Sequence, residues 1–310
     1  MQAFSVVHVN TFVMIGGYFA IDKVFQASRL GKLWKQVAFY SIVICLINAV
    51  TIGVTGSDVV KAILPISART YWFASVYMGL LVLMPFVSMV AARMTRRQYQ
   101  YLLGALTLFL SVNHMIFRVD TYGTFSGREL PWFIFLTLLA GYVKLHTKED
   151  RHYAWYGFAG YVVSSLAVLA SVYLSVKTHQ EDIGYFLNYN SPLALLGTLA
   201  LFVCVRNLPW KESKLDGVIL KVAGAAFGVY LIHDNYLVWD AFRVSKVAKT
   251  HWAMIYAVAV AAIVYLACTL LELLRQQLMK WFAPIWEKTL LYRKEQNLYL
   301  KITKRVNDPS

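Results

Sequence analysis

The chain contains few charged residues, few cysteines and no long polar stretch. Charged residues make up 15% of its 310 residues, against about 25% in an average soluble domain. The cysteines Cys45, Cys204 and Cys268 show no Cys-x-x-Cys spacing, which argues against a disulfide framework or a structural zinc site. All three lie in apolar runs, where a free cysteine packs as a small hydrophobe. The polar connections are too short for a separate soluble domain.

Nine apolar segments account for most of the sequence. They lie near residues 3–21, 36–54, 71–92, 99–117, 130–145, 153–176, 188–205, 218–239 and 251–274. A helix of about 20 mostly apolar residues crosses about 30 Å of hydrocarbon, and hydrophobic residues make up 59% of this chain. We therefore predict an all-α fold, a polytopic transmembrane helical bundle of about nine transmembrane helices.

The positive charge is concentrated on one side of the predicted membrane. The net charge is +14, which in a soluble protein would suggest nucleic acid as a partner. Of the 30 Lys and Arg residues, 21 fall at segment ends on one side and 8 on the other, with Lys221 inside a segment. Excess Lys and Arg mark the cytoplasmic side. We therefore predict a multi-pass cell-membrane protein, expected in a bacterial plasma membrane, with a cytoplasmic C-terminus, an external N-terminus and no nucleic-acid partner.

The end of the chain differs in composition from the rest. Residues 276–310 combine cations with Trp, Phe, Leu and Tyr side chains. Such a segment lies along the inner leaflet, where aromatic rings and anionic lipid hold it. We predict a transmembrane domain over residues 1–275 and a basic, aromatic cytoplasmic tail over residues 276–310, partly interfacial, with membrane lipid as its partner.

The strongest candidate site lies at the outer end of the eighth segment, in GVYLIHDN (residues 228–235). An ionisable residue at mid-bilayer costs several kcal/mol, so His233 and Asp234 require partners or water. The cluster is either a hydrogen-bonded helix end or part of a polar cavity. In such a cavity an imidazole or carboxylate manages protons or orients a substrate.

Two further groups of polar residues lie near outer segment ends. Arg69 and Trp72 open the third segment, as an interfacial anchor or as a contact for a carbohydrate or carboxylate. Asn113, His114 and Arg118 lie near the end of the fourth. Adjacent residues such as Asn113 and His114 point about 100° apart on a helix, so they cannot both face lipid at low cost.

Four stretches of the chain resemble the integral-membrane acyltransferase 3 family, whose members modify surface polysaccharides and related acceptors. Residues 10–19 resemble its early Phe-rich helix ending in Ser-Gly-Phe or Ser-Gly-Tyr, and residues 28–37 resemble the basic segment that follows. Residues 71–85 resemble its Trp-Phe helix ending in proline, and residues 228–233 its Gly-Ile-Tyr-Leu-Ile-His type of motif. The resemblance extends over about residues 4–275.

Two features depart from the family pattern. Gly16 stands where the family has a serine, a change that is tolerable if this position requires only a small residue. The family has ten core helices, and the first carries a basic residue and an essential histidine that have no counterpart here. His8 follows no basic residue at the appropriate distance, so the resemblance gives it no catalytic role. We therefore expect a truncated, mis-started or degenerate member that lacks the first helix.

The resemblance implies an O-acyltransferase, acetyl transfer above all, that uses acyl-CoA as co-substrate and needs no bound cofactor or metal. The acceptor would be a hydroxyl of a cell-surface glycan or exopolysaccharide. His233 would orient or deprotonate that hydroxyl, supported by Asp234 or Asn235. The cavity residues would be Tyr230, Arg69, Trp72, Asn113, His114 and Arg118. The acyl-CoA phosphates would bind Arg29, Lys32 and Lys35, although positive-inside topology also accounts for these three cations.

Two other functions remain open. A bundle with polar groups inside the membrane also suits a transporter or flippase of a lipid-linked saccharide, but the sequence shows no paired repeat or matching interrupted helices of the kind common in transporters. A catalytically inactive remnant that only binds partners is the second alternative. Acceptor-dependent release of free coenzyme A distinguishes an enzyme from both.

Overall fold

The computed structural model describes residues 2–178, 184–238 and 252–308. All regular secondary structure in these residues is helical, which confirms the all-α prediction. The α-helices are α1 Gln2–Ser5, α2 His8–Ala20, α3 Ser28–Thr51, α4 Gly56–Ile63, α5 Trp72–Arg93, α6 Arg96–Thr107, α7 Asn113–Phe117, α8 Leu130–His146, α9 His152–Lys177, α10 Pro192–Arg206, α11 Asp216–His233, α12 Ala253–Glu287 and α13 Leu290–Asn307.

Each of the nine apolar segments is largely helical in the described residues. Eight spans in the described residues are long and apolar enough to cross a membrane, and the fifth segment forms the shorter, 17-residue α8. The eight spans are Ala3–Ala20, Ser28–Thr51, Trp72–Arg93, Arg96–Phe117, His152–Lys177, Tyr185–Arg206, Asp216–His233 and Ala253–Glu287. The predicted polytopic bundle is thereby confirmed.

Several helix bounds differ from the apolar segments. The second segment was predicted from residue 36, but α3 begins at Ser28 and includes the basic residues. The last was predicted to end at residue 274, but α12 continues to Glu287. Lys, Arg, Gln and Glu are good helix formers, so the helix continues where the apolar run stops. The eighth was predicted to reach residue 239, which lies outside the described residues, and α11 ends at His233.

Capping boxes fix the starts of two helices. The Thr55 hydroxyl accepts the Asp58 N–H, and the Asp58 carboxylate accepts the Thr55 N–H, at the start of α4. Thr95 and Gln98 make the same reciprocal pair at the start of α6. Each pair satisfies two of the orphan N–H groups that a helix start leaves, so both helices begin sharply after short connections.

The fourth span is not a continuous α-helix. A π-helical turn, Leu108–Val112, separates α6 from α7, and Arg118 ends α7 with a left-handed φ of 54°. The buried Ser111 in this turn donates to the Asn190 carbonyl oxygen at 2.7 Å. Turns of this kind often mark functional positions.

The chain divides into two compact units. Unit 1 contains residues 1–25 and 79–210, and unit 2 contains residues 26–78 and 211–310. In unit 1, α9 packs along α10 and α2 packs along α8. In unit 2, α11 packs along α12 and against α3, and α3 contacts α4.

Small residues allow close helix packing in unit 1. A Cβ added to Gly157 would lie 2.6 Å from the Ala200 carbonyl oxygen. One added to Gly17 would lie 2.9 Å from the Thr137 Cα. Without these side chains, α9 and α10, and likewise α2 and α8, bring their backbones close together, as small residues do at membrane helix contacts.

An aromatic and aliphatic core holds unit 2 together. Val37 and Tyr40 from α3 pack with Leu231 from α11 and with Tyr71 and Ala74 at the start of α5. All five are buried. This core fixes α3, which carries the basic segment, against α11, which carries the GVYLIH motif.

Candidate active site

His233 is the last residue of α11, and its side chain is exposed. Its Nδ1 lies 2.7 Å from the Val229 carbonyl oxygen. A carbonyl oxygen only accepts, so Nδ1 carries the proton in the neutral ring and Nε2 keeps a lone pair. Asp234 caps the helix, with its N–H donating to the Tyr230 carbonyl oxygen at 3.0 Å. The local geometry therefore presents an imidazole nitrogen that can accept a proton.

Asn235 is buried and links the end of α11 to the start of α5. Its Nδ2 donates to the Tyr71 hydroxyl oxygen at 2.7 Å, and its Oδ1 accepts the Leu237 N–H at 3.0 Å. Both polar atoms of the amide are engaged within unit 2. Asn235 therefore holds the turn after His233 in place.

The next residue ties this turn to α4. The Tyr236 hydroxyl donates to Asp58 Oδ1 at 2.8 Å, and the Lys61 Nζ lies 5.4 Å from the Tyr236 ring centre. Hydrogen bonds from the Thr55 hydroxyl, the Thr55 N–H and the Tyr236 hydroxyl lower the pKa of Asp58 to about 2. Asp58 is therefore ionised at neutral pH and can keep accepting from Tyr236.

Two of the predicted groups meet at this end of unit 2. The Tyr230 ring lies 6.1 Å from the Tyr71 ring and 5.6 Å from the Phe73 ring. Trp72, in the same stretch, is half-buried and contacts Phe73 with 5.9 Å between ring centres. Arg69 is exposed and has a left-handed φ of 50°. The residues around Arg69 and those around His233 thus belong to one aromatic-walled region.

The other predicted cavity residues belong to unit 1. The His114 ring stacks on the Tyr185 ring at 5.9 Å, and the Tyr185 hydroxyl donates to the His114 carbonyl oxygen. The Arg118 guanidinium lies 5.0 Å from the same ring. Asn113 is half-buried in the same short helix. Tyr185, which the sequence interpretation missed, organises this group.

A polar-lined cavity of about 300 Å³ also lies in unit 1. Its lining includes His8, Arg128 and Asn188. Arg128 lies 5.7 Å from the Tyr189 ring, and the His8 ring contacts that ring edge-on at 5.7 Å. None of these residues except His8 was considered from the sequence, because three separate chain segments build the cavity.

The predicted phosphate-binding cations lie in the first turns of α3. Arg29, Lys32 and Lys35 are all exposed, and at three-residue intervals they share one side of the helix. Lys35 forms an ion pair with Glu295 of α13 at 2.6 Å, and its Nζ lies 5.9 Å from the Trp286 ring. The basic segment is therefore helical and partly covered by the C-terminal helices of the same unit.

The sequence interpretation missed a buried ionic cluster in unit 2. Glu272 is the one charged side chain among the described residues that is fully buried. It forms an ion pair with Arg275 at 2.7 Å and accepts the Tyr40 hydroxyl at 2.5 Å. The sequence did contain an indication, because Glu272 is a lone acid in the apolar run LLELL.

These observations define a polytopic membrane protein with a base-bearing helix end and a cationic helix start in one compact unit. The model of the acyltransferase 3 family, described as an acyltransferase domain, matches residues 1–272. The chain belongs to this family and is a membrane acyltransferase. No curated protein and no solved structure is significantly similar to it.

Proposed function

We propose that the chain is an integral-membrane O-acyltransferase that transfers an acyl group from acyl-CoA to a hydroxyl of a cell-surface glycan. The acyl group that we propose is acetyl. The acceptor oxygen attacks the thioester carbonyl carbon, a C–O bond forms and the C–S bond breaks. The hydroxyl proton passes to His233 and then to the departing thiolate. The family match over residues 1–272 supports acyl transfer, while the acyl-CoA donor and the glycan acceptor are what the family resemblance implies.

The observation that carries this proposal is the geometry of His233. Because Nδ1 donates to the Val229 carbonyl oxygen at 2.7 Å, the exposed ring offers Nε2 as a base. General-base catalysis of this kind contributes about 10²- to 10⁴-fold to a rate. Asp234 follows His233 as the helix cap, and Asn235 holds the turn through Tyr71.

The donor would bind at the start of α3, which carries the basic segment. Arg29, Lys32 and Lys35 offer three cations for the phosphates of acyl-CoA, and charge-assisted bonds to phosphate are among the stronger polar contacts. The Lys and Arg bias supports a cytoplasmic location for this end and for the C-terminus. Arg29 and Tyr40 are 11 positions apart on α3. At a rise of 1.5 Å per residue, their backbones are about 16.5 Å apart along the helix axis.

The acceptor would contact aromatic rings and polar groups at the outer ends of the helices. In unit 2 these are Tyr230, Trp72 and Arg69, which lie around the end of α11. Asn113, His114 and Arg118 were also predicted from the sequence as acceptor contacts, and in unit 1 they lie around Tyr185. Aromatic rings and guanidinium groups provide both stacking faces and hydrogen-bond donors for a sugar.

Replacing His233 tests the proposed mechanism. In the purified full chain supplied with acetyl-CoA and a glycan acceptor, we expect His233→Ala to lower kcat at least 100-fold, since the base is lost. The KM for acetyl-CoA should stay within about twofold, because the variant leaves Arg29, Lys32 and Lys35 unchanged. The matched control is His152→Ala, which removes an exposed histidine at the start of α9.

Unchanged transfer by His233→Ala would remove this residue from the mechanism. Saccharide uptake into vesicles without thioester cleavage would instead show a transporter. Binding of glycan or acetyl-CoA without any coenzyme A release would show a catalytically inactive member.

A further inference from the structure

Glu272 connects side chains from two helices of unit 2. Its carboxylate accepts hydrogen bonds from the Tyr40 hydroxyl at 2.5 Å and from Gln36 Nε2 at 3.2 Å, both on α3. It also accepts from Gln276 Nε2 at 2.8 Å, one turn later on α12. The side chain is 0% exposed, so these protein groups replace the water that an ionised carboxylate needs.

Arg275 supplies the counter-charge. Its Nε and Nη2 donate to the two carboxylate oxygens of Glu272 at 2.8 and 2.7 Å. The guanidinium also lies 5.7 Å from the ring centres of Phe39 and Tyr40. The planar guanidinium can bind both carboxylate oxygens and stack on aromatic rings, which a lysine ammonium cannot do in the same way. The geometry of the pair therefore requires arginine.

The third helix at this cluster is α11, which carries the GVYLIH motif. A Cβ at Gly228 would lie 2.4 Å from Glu272 Oε2, so the carboxylate occupies the space that a side chain would fill. One turn earlier, the Gly224 carbonyl oxygen accepts from Gln276 Nε2 at 3.5 Å. The cluster therefore sets the position of α11 as well as that of α3.

The proposed donor site continues directly from this cluster along α3. Lys32, Gln36 and Tyr40 are spaced by four residues and form one stripe on the helix. Gln36 and Tyr40 are both bonded to Glu272, so Lys32 lies one turn from the cluster on the same face. A rotation of α3 that broke these bonds would turn the phosphate-binding cations away.

We propose that Glu272 is a positioning residue for the acyl-CoA donor. Through Gln36 and Tyr40 it fixes the face of α3 that carries Lys32, and through Arg275 it holds a fourth cation beside that face. This inference rests on the proposed function and adds residues that the family resemblance did not indicate.

If the Glu272–Arg275 pair only stabilised the fold, a different result would be expected from the one that the positioning role predicts. Replacing a buried ion pair by apolar residues of similar volume is often neutral or stabilising. If the pair only holds the helices together, a variant with methionine at both positions will fold and bind the donor normally. If the pair positions cations, the same variant will fold but bind the donor poorly.

The experiment measures binding of radiolabelled acetyl-CoA and transfer kinetics for the purified full chain in lipid nanodiscs. We expect Glu272→Gln, which leaves the Arg275 charge unpaired, to weaken acetyl-CoA binding on the order of tenfold. We expect kcat at saturating donor to fall less than threefold, because the bond between His233 Nδ1 and the Val229 carbonyl oxygen lies within α11 and does not involve Glu272. The double variant Glu272→Met with Arg275→Met should retain the wild-type unfolding temperature and lose binding to a similar extent.

The matched control is Glu287→Gln, which neutralises the exposed acid at the end of α12 and should bind acetyl-CoA as wild type does. Wild-type affinity in either Glu272→Gln or the double variant overturns the positioning role and leaves the proposed function intact. No acetyl-CoA binding by wild type overturns both. If Glu272→Gln fails to fold, the double variant decides.

Discussion

Gly228 shows how a single residue in a recognisable motif depends on a distant partner. The motif could be predicted from the sequence, but the need for glycine at its start could not. A Cβ there would meet Oε2, Cδ and Cγ of Glu272 within 2.6 Å. Five hydrogen bonds hold that carboxylate, so it cannot move aside without losing partners.

We therefore expect Gly228→Ala to destabilise the protein by about 1–3 kcal/mol through overpacking. The matched control is Gly224→Ala in the same helix, where an added Cβ meets nothing within 4 Å. Alanine should there be neutral or stabilising by up to about 1 kcal/mol, since it favours the helix. Thermal unfolding in detergent measures both. Equal unfolding temperatures for the two variants would contradict the proposed packing around Glu272.

The two residues on which the proposals depend, His233 and Glu272, differ in how far the sequence revealed them. His233 could be identified because it ends a long apolar run and belongs to a known motif. Glu272 was missed because one acid among leucines changes the mean hydropathy of the segment little. Arg275 contributed only to the count of Lys and Arg residues that predicts the orientation in the membrane. The partners Tyr40 and Gln36 lie more than 230 positions away, so only the fold brings them together.

At the scale of elements, the C-terminal helix α13 packs against the start of α3. Lys35 pairs with Glu295 at 2.6 Å, and the Ala27 N–H donates to the Thr303 hydroxyl oxygen at 3.0 Å. Burial raises the pKa of Glu295, but hydrogen bonds from Lys35 and the Tyr299 hydroxyl outweigh it and leave the pKa below its ordinary value. Glu295 is therefore ionised at neutral pH, and under the proposed function it would compete with the donor phosphates for Lys35.

This competition predicts the direction in which the affinity for acetyl-CoA changes when Glu295 is neutralised. We expect Glu295→Gln to bind acetyl-CoA about two- to fivefold more tightly, because a partly exposed ion pair is worth up to about 1 kcal/mol. The control is Glu212→Gln, which removes an exposed acid from the connection before α11. Isothermal titration of the full chain with acetyl-CoA makes the comparison. Weaker binding by Glu295→Gln would show that α13 supports the donor site instead of covering it.

The helices themselves could be predicted better than their ends and contacts. Hydropathy located all nine segments, since a lipid-exposed backbone must satisfy its hydrogen bonds within a helix. It misplaced the start of α3 and the end of α12, where charged helix formers extend the helix beyond the apolar run. It also gave no indication of the π-helical turn at Leu108–Val112 or of the contact between α13 and α3, both of which depend on tertiary packing.

At the scale of the whole molecule, the fold class followed from composition, whereas the contact partners of the polar residues did not. The sequence placed Tyr230 and His114 near outer helix ends but did not identify the side chains that contact them. In the structure Tyr230 packs with Tyr71 and Phe73 in unit 2, and His114 stacks on Tyr185 in unit 1. Apolar helix faces are similar to one another, so hydropathy cannot determine which helices pack together.

The central claim is acyl transfer from acyl-CoA to a glycan hydroxyl, and the stoichiometry of the reaction tests it most directly. The full chain, reconstituted in vesicles, is supplied with radiolabelled acetyl-CoA and a surface-polysaccharide oligosaccharide. The proposal predicts one coenzyme A released for each O-acetyl ester formed, and neither product without the acceptor. Intact acetyl-CoA in the presence of the acceptor, with or without movement of the saccharide across the bilayer, would contradict it.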